Sequence, residues 1–204
     1  MRTYGDRCGI ARALDTVGDR WALLVVRELL LGPKRFTDLR AGLPKVSPDV
    51  LAQRLRELEA AGVPRRDRLP PPAASHVYEL TKRGRGLQPV ILELGRWGSR
   101  EPANDGPLGP DAAVIALMTT FCGDLEGTFE LRLDGDVFNL RTAHGRLEAA
   151  RGPATEPAAV IEGEPGTLAS VLWHGADPAS LAVAGDRRAA RRFLRAFTRP
   201  ARRG

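Results

Sequence analysis

The feature that most constrains the fold is a pair of helical patterns joined by a turn of only four residues, Pro44 to Ser47. The first, RFTDLRAGLP, spaces its apolar residues along one helix face and is closed by Gly42 and Pro44. The second, SPDVLAQRLRELEAAG, opens with Ser47 as N-cap and Pro48 at the first helical position, where the missing N–H is not needed. Two helices joined by so short a turn predict a helix-turn-helix.

The second helix of this pair is amphipathic. Leu51, Leu55 and Leu58 recur at i, i+4 and i+7, so we expect them to face the core. The opposite face carries Asp49, Ala52, Gln53 and Arg56. A polar outer face near the N-terminus is typical of a helix that enters the major groove of DNA.

The segments before this pair predict two further helices. IARALDTV, residues 10–17, has a short apolar face and ends at Gly18. DRWALLVVRELLLGP is apolar nearly all round, which indicates a core helix with Asp19 as its N-cap and Gly32-Pro33 as its stop.

Three consecutive prolines, Pro70 to Pro72, permit two interpretations. They could form a stiff linker between domains or the tip of a hairpin. Residues 63–69 and 75–80 are short β-like runs on either side, and TKRGRGLQPVILELGRWG then predicts a long helix, capped by Thr81 and bent at Pro89. The order of elements favours the hairpin and hence a mainly α winged helix-turn-helix.

Positive charge is concentrated in the first half of the chain. Residues 1–100 hold 19 Lys and Arg against 11 Asp and Glu, whereas residues 101–204 hold 12 against 14. This asymmetry predicts an anionic partner for the first half alone, and nucleic acid is the commonest such partner.

Several classes of protein are disfavoured. Cys8 and Cys122 are far apart and no spacing of His and Cys suits a metal, so we expect neither a metal nor a cofactor. The three histidines lack the oriented partners of acid–base catalysis, so we expect no enzyme activity. No apolar run is long enough for a membrane span or a signal peptide, which predicts a cytoplasmic protein that does not bind membranes.

A stretch dense in proline, glycine and Asx residues predicts a linker at 101–110. It separates a first domain, 1–100, from a second, 111–199, followed by a tail, 200–204. The second domain reads as helix, three-strand meander, strand, helix, strand and helix, which predicts an α+β fold with an antiparallel sheet.

The first half closely resembles the HxlR family of bacterial transcriptional regulators. The resemblance covers residues 8–98 and rests on a cysteine near the first helix, GDRW, LLLGPKRF, the pattern SP-x-VL-x-QRL-x-EL and YELT. It implies a winged helix-turn-helix that binds DNA as a homodimer. The proline run then lies in the wing, whose first strand we expect to start near Arg65.

In such a domain Gln53 would contact adenine, and Arg56 would contact guanine or a phosphate. Ser47 at the helix N-terminus suits a phosphate oxygen. Arg54, the arginine of QRL, would bind a phosphate or form a structural ion pair. The other predicted DNA contacts are Lys34 and Arg35 before the supporting helix and Arg65, Arg66 and Arg68 in the wing.

The resemblance also implies a dimer interface built from the first and last helices of the domain. Its candidate residues are Ile10, Leu14, Val17, Leu87, Ile91, Leu94 and Trp97, although the same stripes could be ordinary core. Two-fold symmetry would then require a palindromic operator. Cys8 is either a sensor of oxidants or electrophiles, as the resemblance implies, or a small buried apolar side chain.

Residues 108–198 resemble the sterol-carrier-protein-like domain, chiefly in the order of elements and the ending AVAGDRRAARRFL. The resemblance implies an apolar tunnel for a lipid-like effector. Its candidate lining residues are Leu117, Phe121, Leu168, Val171, Leu172, Trp173 and Phe193, and a closed core is the alternative.

Together these patterns predict a sequence-specific, dimeric, DNA-binding transcriptional regulator. Control would come from an apolar small molecule in the second domain or from oxidation of Cys8. The rival hypothesis is a carrier of lipid-like ligands whose winged domain mediates protein assembly.

Overall fold

A computed structural model describes residues 3–68, 75–99 and 106–197. The chain divides into two compact units between Ile91 and Leu92. The proline run, residues 101–105 of the predicted linker and the tail lie outside the described residues. Among the described residues, no helix has the length and apolar character that a bilayer crossing requires.

The first unit is a winged helix-turn-helix, as the sequence predicts. Its elements are α1 (Gly9–Val17), α2 (Ala22–Leu29), α3 (Phe36–Gly42), α4 (Pro48–Ala60), β1 (Pro64–Arg68), β2 (His76–Leu80), α5 (Lys82–Arg85) and the start of α6 (Gln88–Gly98). Strands β1 and β2 pair antiparallel, with Arg66 opposite Tyr78. The first wing strand therefore begins at Pro64, one residue before the expected start.

Two helix boundaries differ from the prediction. The N-cap of α2 is Trp21, with a φ of 79°, and not Asp19, whose carbonyl instead accepts the N–H of Ala22. The expected long helix after Thr81 is two helices separated at Gly86 and Leu87. Pro89 thus lies in the first turn of α6, where its missing N–H costs nothing, so it does not bend a continuous helix.

The second unit is an α+β domain. After α6 its elements are α7 (Pro110–Thr120), β3 (Gly127–Leu133), β4 (Asp136–Ala143), β5 (Arg146–Arg151), β6 (Ala159–Gly163), α8 (Pro165–His174), a 3-10 turn (Pro178–Ser180), β7 (Ala182–Gly185) and α9 (Arg187–Leu194). The strand order is β5-β4-β3-β6-β7. Phe129, Phe138 and Phe193 are among its fully buried side chains.

The prediction of an antiparallel sheet is wrong at one pair, because β3 and β6 run parallel. After β5 the chain returns to the far side of β3, which places β6 beside a strand that is not its neighbour in sequence. Glu130 on β3 supports this crossing, since its carboxylate accepts the N–H of Ala154 at 3.0 Å. The strand lengths and alternation do not specify this connection, which depends on contacts distant in sequence.

Arg151 fastens α7 to the sheet. Its guanidinium donates to both carboxylate oxygens of Asp111, at 2.7 and 2.6 Å, and to Asp136 at 2.5 Å. Burial lowers the pKa of Arg151, but the Asp111 and Asp136 carboxylates raise it on balance. The arginine therefore stays charged and compensates the buried Asp111.

Candidate nucleic-acid interface

The two faces of α4 have opposite environments. Leu51, Leu55 and Leu58 are buried in the core of the first unit. Ser47 caps the helix, because its hydroxyl accepts the N–H of Val50 at 3.4 Å, and it remains exposed. The outer face, with Gln53 and Arg56, is exposed and accessible to a ligand.

Side chains on this outer face already bind one another. Arg56 donates to the side-chain oxygen of Gln53 at 2.6 Å, and the Gln53 amide donates to Glu57 at 2.6 Å. These bonds hold the glutamine and the arginine side by side across adjacent turns of the helix. An amide and a guanidinium are the groups that bind adenine and guanine in the major groove, and a base contact by Gln53 would exchange these bonds, because they engage both its oxygen and its nitrogen.

Arg54 belongs to a structural ion-pair cluster. Its guanidinium pairs with Asp19, which precedes α2, and with Glu57 one turn further along α4. Its side chain is only 15% exposed. Of the two alternatives for this residue, the observed contacts are those of the structural ion pair.

Lys34, a predicted DNA contact, is buried. Its ammonium lies 2.7 Å from Oε2 of Glu28, a carboxylate that is itself 2% exposed. Its backbone N–H donates to the carbonyl of Tyr78, and the Tyr78 N–H donates back. The residue therefore neutralises a core carboxylate and attaches the segment before α3 to the wing, a role that a surface charge pattern does not reveal. The neighbouring Arg35 is exposed.

The three wing arginines differ in their partners. Arg65 donates to Glu79 at 2.8 Å and also faces Asp67. Hydrogen bonding from Arg65 lowers the pKa of Glu79 despite an opposing effect of burial, and Glu79 raises the pKa of Arg65. Arg85, which the sequence did not single out, also binds Glu79 at 2.7 Å.

Arg66 is the wing cation most available to an external anion. It is exposed, and in the described part of the chain its side chain makes no hydrogen bond or ion pair. It alternates along β1 with Arg65, so the two point to opposite faces of the wing. Arg68 is exposed at the end of β1.

The residues predicted for a dimer interface separate into exposed and buried groups. Ile10 and Trp97 are 72% and 65% exposed, and Leu14 and Leu94 are also exposed. Val17 and Ile91 are buried in the chain itself, where they cannot present a surface to a partner, and Leu87 is half-buried. A further apolar residue, Val90 on α6, is also exposed, although the predicted interface did not include it.

Cys8 is the N-cap residue of α1 and is exposed, so it is not the buried apolar side chain of the alternative interpretation. Its N–H donates to Asp6 at 2.9 Å. Among the described residues, no cluster of His, Cys, Asp or Glu could hold a metal ion.

The residues expected to line a tunnel in the second unit include several core residues. Leu117, Leu168 and Phe193 are buried, and Phe193 stacks on Phe129 with ring centroids 4.5 Å apart. Phe121, Leu172 and Trp173 are half-buried. None of these six lines the cleft that lies beside α9, although Val171, also expected in the tunnel, does.

Known proteins with similar sequences match mainly the first half of the chain. Residues 16–105 match the HxlR-like helix-turn-helix family. The uncharacterized HTH-type transcriptional regulator YvaP of Bacillus subtilis is 40% identical over 88 residues, which are 43% of this chain and 82% of YvaP. The HTH-type transcriptional regulator YodB of the same organism is 36% identical over 88 residues, covering 43% of this chain and 79% of YodB.

Among solved structures, the reduced form of YodB shares 34% identity with a TM-score of 0.43, over 48% of this chain and 100% of that chain. The shared region is about four fifths of YvaP and of YodB. The chain belongs to the HxlR-like helix-turn-helix family.

Proposed function

We propose that this protein regulates transcription by placing the outer face of α4 in the major groove of DNA. The observation that carries the proposal is the exposed, hydrogen-bonded pair Gln53 and Arg56 on a helix whose other face is buried. The pair would read base edges, with Gln53 on adenine and Arg56 on guanine or a phosphate. Ser47 at the N-terminus of α4 would bind a phosphate oxygen.

The wing and the start of α3 would hold the domain on the phosphate backbone. Arg66 and Arg35 are exposed cations on either side of the helix-turn-helix in sequence. Arg68 is a further candidate, and Arg65 could reach a phosphate only by exchanging its bonds to Glu79. Such contacts fix the position of α4 in the groove, whereas the α4 contacts supply sequence preference.

The exposed apolar residues of α1 and α6 support a homodimer. Ile10 and Leu14 on α1 expose apolar surface to water, and so do Leu94 and Trp97 on α6, and a second copy would bury such surface. A two-fold dimer presents two α4 helices, so its operator would be palindromic, with half-sites spaced by about one helical turn or a multiple of it.

Control of this activity would involve Cys8 or the second unit. The order of elements in the second unit supports a sterol-carrier-like domain with an apolar effector. A carrier of lipid-like ligands whose winged domain mediates assembly is the second candidate, and the same order of elements favours it. The two are distinguished by whether the purified chain binds DNA.

A mobility-shift assay with the DNA upstream of its own gene tests the interface. Replacing Gln53 or Arg56 by Ala should reduce preference for that DNA over random DNA by about 1–3 kcal/mol, the usual value of one bidentate bond to a base. Arg146→Gln is the matched control, since Arg146 is an exposed arginine on β5 without a side-chain partner among the described residues. Equal effects of the control and of both α4 variants would overturn the assignment of α4.

A further inference from the structure

A cleft of about 550 Å³ lies in the second unit between α8, the 3-10 turn, β7 and α9. Its floor is apolar, with Leu181, Ala190 and Leu194 buried and Val183 half-buried. The volume falls within the roughly 300–1,000 Å³ of small-molecule sites. The cleft can therefore hold the body of a small organic ligand.

Three arginines line the rim of this cleft. Arg187 and Arg191 lie on α9 and Arg195 follows its last residue, so the three recur at i, i+4 and i+8 and share one face. All three are exposed, and no hydrogen bond or ion pair engages their guanidinium groups within the described residues. Arginines held in a row without partners form a surface complementary to an anion.

The carboxylate in the cleft lining does not offset this charge. Asp177 caps the 3-10 turn, and its Oδ1 accepts the N–H of Ala179 at 2.9 Å. The three arginines carry three positive charges, against the single negative charge of Asp177. The cleft thus combines an apolar floor with a net positive rim.

Helix α9 also carries arginines that can be compared with those of the cleft. Arg188 and Arg192 on α9 are also exposed, but they do not line the cleft. The arginines of this segment therefore fall into two sets of the same chemistry, one that lines the cleft and one that does not.

We propose that this cleft binds an organic anion with an apolar body, whose acid group is held by Arg187, Arg191 and Arg195. The apolar part would cover Leu181 and Leu194, which favours binding through the hydrophobic effect. The planar guanidinium forks would bind the acid group in a bidentate manner. A neutral apolar molecule would leave the arginines unmatched, and a small inorganic anion would leave the floor in contact with water.

The site lies wholly in the second unit, and its occupation does not depend on DNA binding. Isothermal titration of the full chain with decanoate, 1-decanol, acetate and inorganic phosphate separates the contributions of the two parts of the ligand. Decanoate should bind saturably with one site per chain. The alcohol should bind at least tenfold more weakly, because it cannot form the charge-assisted hydrogen bonds, and acetate and phosphate should show no saturable binding.

Variants of α9 locate the site. Arg191→Gln and Arg187→Gln should each weaken decanoate binding about tenfold or more, whereas Arg188→Gln and Arg192→Gln should leave it unchanged. All four residues are exposed, so circular dichroism should show the same fold for each variant. Equal weakening by both sets would overturn the proposal, because it would indicate general attraction to a basic helix.

The same variants distinguish a monomeric ligand from a membrane surface. Phosphatidylglycerol vesicles that bind the chain while monomeric decanoate does not would overturn the proposal, as would equal affinity for decanoate and 1-decanol. Decanoate binding that depends on Arg191 and is independent of vesicles would support it.

Discussion

The Lys34 ammonium and the Glu28 carboxylate form an ion pair at 2.7 Å, and both side chains are buried. The other partner of Glu28 is Arg27, also at 2.7 Å. Lys34→Met would leave the buried carboxylate with one fewer cation while Arg27 remains, so we expect a decrease of about 1–3 kcal/mol in the free energy of unfolding. Urea denaturation checks this, with the exposed Lys45→Met as the control. A variant with unchanged stability but weaker salt dependence of DNA binding would instead make Lys34 a phosphate contact.

Gly42 packs directly against the same carboxylate. A Cβ atom at Gly42 would lie 2.2 Å from Oε2 of Glu28, and a shift of that carboxylate would disturb its bonds to Lys34 and Arg27. Gly42→Ala should therefore destabilise the fold by about 1–3 kcal/mol. Gly9→Ala, where a Cβ meets nothing within 4 Å, is the control and should be neutral or stabilising. Equal stability of the two variants would show that Glu28 can relocate without cost.

The contacts of the Glu130 carboxylate predict that the stability of the second unit depends on pH. The N–H of Ala154 and the guanidinium of Arg132 bind its carboxylate and lower its pKa. The stabilisation is therefore complete above the ordinary glutamate pKa of about 4.3 and disappears as the pH falls through the lower pKa of the folded state. Glu130→Gln should cost about 1–3 kcal/mol at pH 7, and the difference from the wild type should narrow below about pH 4. Urea denaturation from pH 7 to 3 measures this.

The exposed Glu148 on β5 provides the control for that series. Glu148→Gln should show little difference from the wild type at any pH. A Glu130→Gln difference that stays constant down to pH 3 would contradict the assignment to its charged form.

The proposed dimer interface can be tested with charge substitutions. Leu94→Glu and Trp97→Glu should convert a dimer into a monomer in analytical ultracentrifugation, because each places a charge in an apolar contact. Val50 is exposed on α4, a helix that contributes no residue to the proposed interface, so Val50→Gln should leave the dimer intact. A wild-type chain that is already monomeric would refute the interface outright.

An oxidant test addresses Cys8. If its exposed thiol controls DNA binding, hydrogen peroxide should change the affinity of the wild type and of Cys122→Ser, but not that of Cys8→Ser. The affinity is measured by fluorescence anisotropy before and after treatment. An identical oxidant response in Cys8→Ser would exclude the thiol switch.

Local signals predicted the helix-turn-helix correctly. The cap at Ser47, Pro48 at the first position and the leucine spacing of α4 agree with one another, and the structure contains each of them. Features that depend on distant contacts were not predictable in this way. The parallel pairing of β6 with β3 and the burial of Lys34 against Glu28 arise from residues brought together only by the fold.

Residue type alone did not predict where α2 begins. Asp19 is a better N-cap than Trp21 by residue type, yet Trp21 begins α2 in a left-handed conformation. Arg54 was assigned two roles because the sequence does not show that Asp19 approaches it. For the candidate site, sequence identified α4, while the structure separated the exposed Gln53, Arg56 and Arg66 from the buried Lys34.

DNA binding across a salt series decides whether the first unit works as inferred. Anisotropy of labelled upstream DNA should show binding at low salt, with log affinity falling linearly with log salt concentration as counterions are released. Arg66→Gln should reduce that slope by about one, because it removes one cation from the phosphate backbone, and Arg146→Gln should not change it. Failure of the chain to bind at low salt, or binding that salt does not weaken, would contradict a DNA-binding role for the winged domain.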